Sequence, residues 1–110
     1  MEIEKVTIEL DFNKIHDVSD MHLMIKKEFG FPDFYGNNIN SLIDCWGSMR
    51  FPEEGMSELV LEPDEYIVLM LHSFSKTNMI IINNLLIAIE EINNREKNRG
   101  RAAMIKLSLY

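Results

Sequence analysis

The sequence predicts an α/β domain built on a small, mainly parallel three-stranded sheet packed with helices. The segment Glu2 to Phe12 sets Ile3, Val6, Ile8, Leu10 and Phe12 among polar residues, as a strand with one buried face does. Ile67 to Leu71 are five successive apolar residues, a run that suits a strand covered on both faces, as parallel strands usually are. The stretches between and after these strands carry apolar residues three and four apart. The order strand, helix, helix, strand, helix, strand therefore calls for crossover connections and a parallel sheet.

Each element has its own local signals. Ser19 is the expected N-cap of the first helix, with Asp20 placed to favour the helix dipole and Val18 and Leu23 spaced as a hydrophobic staple. Met21, Met24, Ile25 and Phe29 form its apolar stripe, and Gly30 before Phe31-Pro32 ends it. Asn38 caps the second helix, which runs to about Cys45 or Trp46 with Ile39, Leu42, Ile43 and Trp46 as its buried stripe. Residues 59–61 leave room for a short extra strand before a turn at Pro63-Asp64-Glu65. The third helix lies between Lys76 and Lys97. Its core line is Ile82, Leu85, Ile89 and Ile92, widened by Ile81, Leu86 and Ala88, and Gly100 is its stop. A final strand covers Ala102 to Leu109. Repeats and linkers are absent, so residues 1–110 read as one domain.

With 110 residues and 46% hydrophobic content, the chain can bury one core but not two. The N-terminal residues lack a signal-peptide pattern, and no run approaches the length of a membrane helix. A single cysteine, Cys45, allows no intrachain disulfide and no cysteine-clustered metal site. A cytoplasmic protein with no metal, no cofactor and no membrane partner is expected. The net charge of −7 has a location. Residues 32–65 hold eight acids against Arg50 alone, while the rest of the chain carries ten of each sign. Such a segment repels phosphate, which argues against direct nucleic-acid binding, and draws in a basic protein partner.

The signals of catalysis are weak. His16, His22 and His72 lack metal-ligand spacing, and neither a phosphate loop nor a nucleophile elbow occurs. Pairs such as Glu53-Glu54 and Glu90-Glu91 read as solvated charge. The chain is therefore expected not to be an enzyme. A second reading is a non-catalytic structural or regulatory module. Ile80 and Ile87, seven residues apart on the polar side of the last helix, would then mediate weak self-association.

One motif is more specific. Val18-Ser19-Asp20-Met21-His22 is followed by Ile25-Lys26-Lys27-Glu28, by Phe31-Pro32-Asp33-Phe34-Tyr35-Gly36-Asn37-Asn38, and by Leu42-Ile43-Asp44-Cys45. In residue types and spacing this closely resembles the barstar family of intracellular ribonuclease inhibitors. The stretch Phe51 to Ser57 is similar to that of the longer, immunity-protein-like members. The resemblance implies an immunity protein or antitoxin that blocks a basic ribonuclease or toxin nuclease domain with an acidic helix–loop surface.

The resemblance also implies roles for residues. Asp44 would occupy a phosphate subsite, and Phe34 would stack on a catalytic histidine of the enzyme. Tyr35, Gly36, Asn37 and Asn38 would supply loop contacts. Asn40 and Ile43 stand where the family has an acid and an exposed tryptophan, and Arg95 stands near another family acid. Glu53, Glu54 and Glu58 in the longer loop would restore the missing charge. The residues themselves add a reason: Asn40 and Asp44 are four apart and share a helix face, which Gly47 continues without a side chain. A mid-helix aspartate away from a cap has little structural purpose. Trp46 belongs on the buried stripe, while Phe34 and Tyr35 could equally seal the end of the core.

Overall fold

In the computed structural model, which describes residues 3–109 apart from the side chains of Lys5 and Lys76, three strands form one sheet in the order β1–β2–β3. They are β1 (Ile3–Asp11), β2 (Glu65–His72) and β3 (Ile105–Leu109), and both pairings are parallel. Helices α1 (Val18–Phe29) and α2 (Ile39–Gly47) fill the first crossover, and α3 (Met79–Asn98) fills the second. The sequence-predicted order of elements is the order found. Glu2, where the first strand was expected to begin, lies outside the described residues.

The register explains the core. Ile8 and Leu10 of β1 lie beside Leu69 and Leu71 of β2, and Ile67 lies beside Ile105 of β3. All of these are buried, together with Met21, Ile25 and Phe29 of α1 and Leu85, Ala88, Ile89 and Ile92 of α3. The opposite face of β2 is a correction to its expected double cover. Tyr66, Val68 and Met70 are only half-buried, because the alternation of a strand sends them away from the helices. Lys106 Nζ sits 4.2 Å over the Tyr66 ring on that side.

Several local expectations shift by a residue or two. The N-cap of α1 is Asp17, not Ser19: its carboxylate accepts the Asp20 N–H at 2.8 Å, where a full negative charge also meets the helix dipole. Val18 is then inside the helix and Leu23 is exposed, so the staple does not form. Leu86, placed on the core side of the third helix, is exposed, and Ile82 is half-buried. The last strand begins at Ile105 rather than Ala102. Residues 59–61 join no ladder. Isolated bonds hold them instead, Leu59 N–H to Phe29 O and Leu61 N–H to Met49 O.

Gly30 ends α1 in the left-handed conformation (φ 67°), and a Cβ there would lie 2.6 Å from that of Glu58. The longer loop crosses α1 at this point. Glu58 N–H donates to Gly30 O, and Ser57 Oγ donates to Phe29 O. No helix among the described residues is long and apolar enough to cross a membrane.

Candidate functional site

A nine-residue helix has little stability of its own, so α2 is held from both ends and from one side. Asn38 caps it, with Oδ1 accepting the Ser41 N–H at 2.8 Å and Nδ2 donating to Gly36 O at 3.1 Å. Gly36 is required by close approach, since a Cβ there would stand 2.6 Å from Ser41 Oγ. Leu42, Ile43, Cys45 and Trp46 are buried. Trp46 meets Phe29 edge-on, Phe29 stacks on Phe31, and Phe31 leans on Tyr35 at 5.1 Å. This aromatic run joins α1, the loop and α2 into one block.

The faces that this packing leaves open are specific. Asn40 and Asp44 project outward, and the Asp44 carboxylate makes no hydrogen bond or ion pair among the described residues. In the loop, Phe34 is 71% exposed while Tyr35 is only 6% exposed. Asn37 is exposed in the left-handed region (φ 51°), which asparagine tolerates better than most residues. Glu53 and Glu54 are exposed in a one-turn 3-10 helix, Pro52–Glu54. Tyr35 and Ile43, expected among the partner-facing residues, therefore turn their side chains into the core. Both are needed there to close it over α2.

Tyr35 has a polar reason for its burial. Its hydroxyl shares a hydrogen bond with His22 Nδ1 at 2.5 Å, and His22 is fully buried, with Nε2 unpartnered among the described residues. Burial holds the imidazole below its ordinary pKa and raises that of the Tyr35 hydroxyl. Burial, followed by the neighbouring Asp44 charge, pushes the Cys45 thiol up to about 11. Cys45 is thus a packing residue at neutral pH and not a nucleophile.

Asp44, Gly47 and Glu54 line one side of a hollow of about 440 Å³, and Arg95 and Glu96 of α3 with its C-cap Arg99 line the other. Sequence reasoning noted Arg95 as standing near a family acid but gave no role to these residues. Glu96 was legible in part, because it continues the buried line of Leu85, Ile89 and Ile92. Its carboxylate accepts from Arg50 Nε at 2.7 Å, with Arg99 and Arg101 at 3.6 and 3.5 Å. Arg50 also donates to Glu62 O. The one base of the acidic segment is thereby withdrawn from the surface. The eight acids do not all share one patch: Asp44 and Glu54 meet at the hollow, Asp33 lies 4.0 Å from Lys26, and Glu62, Asp64 and Glu65 surround the entry to β2.

A larger hollow, about 800 Å³, opens between α1 and the C-terminal ends of β1 and β2, where His72 Nε2 lies 2.9 Å from Glu9. It contains none of the sequence-predicted site residues. No group of histidine, cysteine and acidic side chains among the described residues could hold a metal ion.

An exposed aspartate on a braced helix and an exposed aromatic ring on the braced loop before it are thus held in fixed positions. The matching family model spans residues 6–107 and so includes every part of this arrangement: the chain belongs to the Barstar (barnase inhibitor) family.

Proposed function

We propose that this protein is an intracellular inhibitor, an immunity protein or antitoxin, that blocks the active site of a ribonuclease-type toxin without chemistry of its own. The observation that carries the reading is Asp44. It is exposed and unpaired among the described residues on a helix whose other side is locked into the core. A ribonuclease site is lined with cationic groups that hold phosphate. A carboxylate fixed at one of its subsites makes charge-assisted hydrogen bonds there, at little further cost in conformational entropy. Phe34 offers a ring for stacking on an imidazole or base-binding surface beside it. Asn40 lies one helical turn before Asp44, and Glu54 lines the same hollow. Asn38 and Glu53 are exposed on the flanking segments, and the acidic segment steers a basic enzyme toward the contact.

Arg95 and Arg99 bear on which enzyme is recognised. They stand across the hollow from Asp44, so a matching toxin sets an acidic or neutral group opposite them. The partner on this reading is a toxin nuclease that need not be a close relative of barnase.

The test is inhibition of RNA cleavage by a barnase-type ribonuclease and by any basic nuclease domain encoded beside this chain. Asp44→Ala should weaken inhibition by two orders of magnitude or more, since it strands cationic groups of the enzyme without a counter-charge, roughly 3 kcal/mol or more. Glu4→Ala, on the exposed part of β1, should change it little. Association should slow as salt rises. Equal losses from the two variants would remove Asp44 from the interface.

A further inference from the structure

The outer edge of β3 carries backbone hydrogen-bonding groups that no strand among the described residues pairs. Ile67 N–H donates to Met104 O, and the register runs from Ile67 beside Ile105 to Leu71 beside Leu109. In a parallel ladder of this phase, Lys106 and Ser108 turn their N–H and C=O toward β2. Ile105, Leu107 and Leu109 turn theirs outward. At Ile105 the chain supplies a substitute strand: Asn93 Oδ1 accepts from Ile105 N–H at 3.1 Å, and Asn93 Nδ2 donates to Ile105 O at 2.9 Å. At Leu107 and Leu109 no side chain among the described residues does this.

Apolar cover runs out over the same two residues. Across the sheet the row Leu10, Leu71, Leu109 is 0%, 0% and 63% exposed, and the row Ile8, Leu69, Leu107 is 7%, 0% and 38% exposed. On α3, Leu86 and Met79 lie seven and fourteen residues before Asn93, on the flank turned to β3, and are 39% and 67% exposed. The strand has no proline and no bulge, and Lys106 is its only charge, so the usual protections of an edge are nearly missing.

We infer that this edge is a homodimer interface, in which β3 strands of two copies pair antiparallel about a two-fold axis at Ser108. Leu107 of each copy then faces Leu109 of the other as a hydrogen-bonded pair, and Ser108 faces Ser108 as a non-hydrogen-bonded pair. The four bonds formed use every outward N–H and C=O of Leu107 and Leu109 on both copies. Leu107-Ser108-Leu109 reads the same in either direction, so one surface supplies both halves of a two-fold contact, and this favours a second copy over an unrelated strand. Lys106 lies off the axis and does not meet its own copy. The interface shares no residue with the hollow beside Asp44, nor with Ile80 and Ile87, which lie on a different flank of α3.

Sedimentation velocity from micromolar to near-millimolar protein tests this. The mass should rise from monomer to dimer, more readily at higher salt, because two chains of charge −7 repel. Leu107→Lys should abolish the rise, and Ile87→Lys should leave it intact. A covalent test avoids dependence on affinity. Cα atoms of a non-hydrogen-bonded antiparallel pair are about 4.5 Å apart, within disulfide reach. Ser108→Cys in oxidised glutathione should therefore give a disulfide-linked dimer and release reduced glutathione, whereas Lys106→Cys should stay monomeric. Monomer at every concentration, loss of the dimer with Ile87→Lys instead of Leu107→Lys, or equal cross-linking at both positions would overturn the interface.

Discussion

Arg50 Nε donates to Glu96 Oε2 at 2.7 Å, and the two side chains retain only 4% and 1% of their exposure. This pair ties the loop after α2 to the last turns of α3, and so fixes the two walls of the hollow beside Asp44 relative to each other. Removing one partner of a buried pair leaves the other charge desolvated and unmatched. Arg50→Ala should destabilise the fold by about 3 kcal/mol, while Arg50→Met combined with Glu96→Leu should recover most of that loss. Urea denaturation of the three proteins checks the ordering. A single variant no worse than the double would mean that Arg99 and Arg101 suffice to neutralise Glu96.

His22 gives the fold a pH dependence with a definite sign. The unfolded imidazole titrates near 6.5, and burial lowers the folded value. Between the two values the unfolded chain binds more protons, so stability is full above pH 6.5 and falls as pH drops below it. The slope for one proton is at most about 1.4 kcal/mol per pH unit. Physically, the imidazolium would carry its charge out of water, with Nε2–H lacking an acceptor among the described residues. Urea midpoints at pH 7.5, 6.5 and 5.5 should decline for the native chain and decline less for His22→Gln. Parallel declines would assign the effect to the carboxylates.

Gly47 separates stability from recognition. A Cβ there would meet only Ile92 Cδ1, at an ordinary 3.5 Å, so packing does not demand glycine. Gly47→Ala should stabilise the helix by about 0.5–1 kcal/mol. The same methyl group would stand in the hollow beside Asp44, and inhibition should weaken. A more stable protein with unchanged inhibition would place the contact elsewhere on α2.

Sequence alone determined what depends on neighbours along the chain. The order of strands and helices, the cap at Asn38, the stop at Gly30 and the outward face of Asn40 and Asp44 follow from periodicity and local hydrogen bonding, whose range is a few residues. The short motif between Phe31 and Cys45 carried the family for the same reason, since its spacing is local.

Tertiary structure decided what depends on residues brought together from afar. Tyr35 turns inward while Phe34 turns outward because His22, thirteen residues earlier, awaits the hydroxyl. Arg50 leaves the acidic surface because Glu96 lies buried 46 residues later. Arg95 and Arg99 share a hollow with Asp44, and Leu109 emerges where its neighbours across the sheet are covered, through packing that no local pattern encodes. Burial and charge pairing are sums over space, and a sequence lists neighbours in only one dimension.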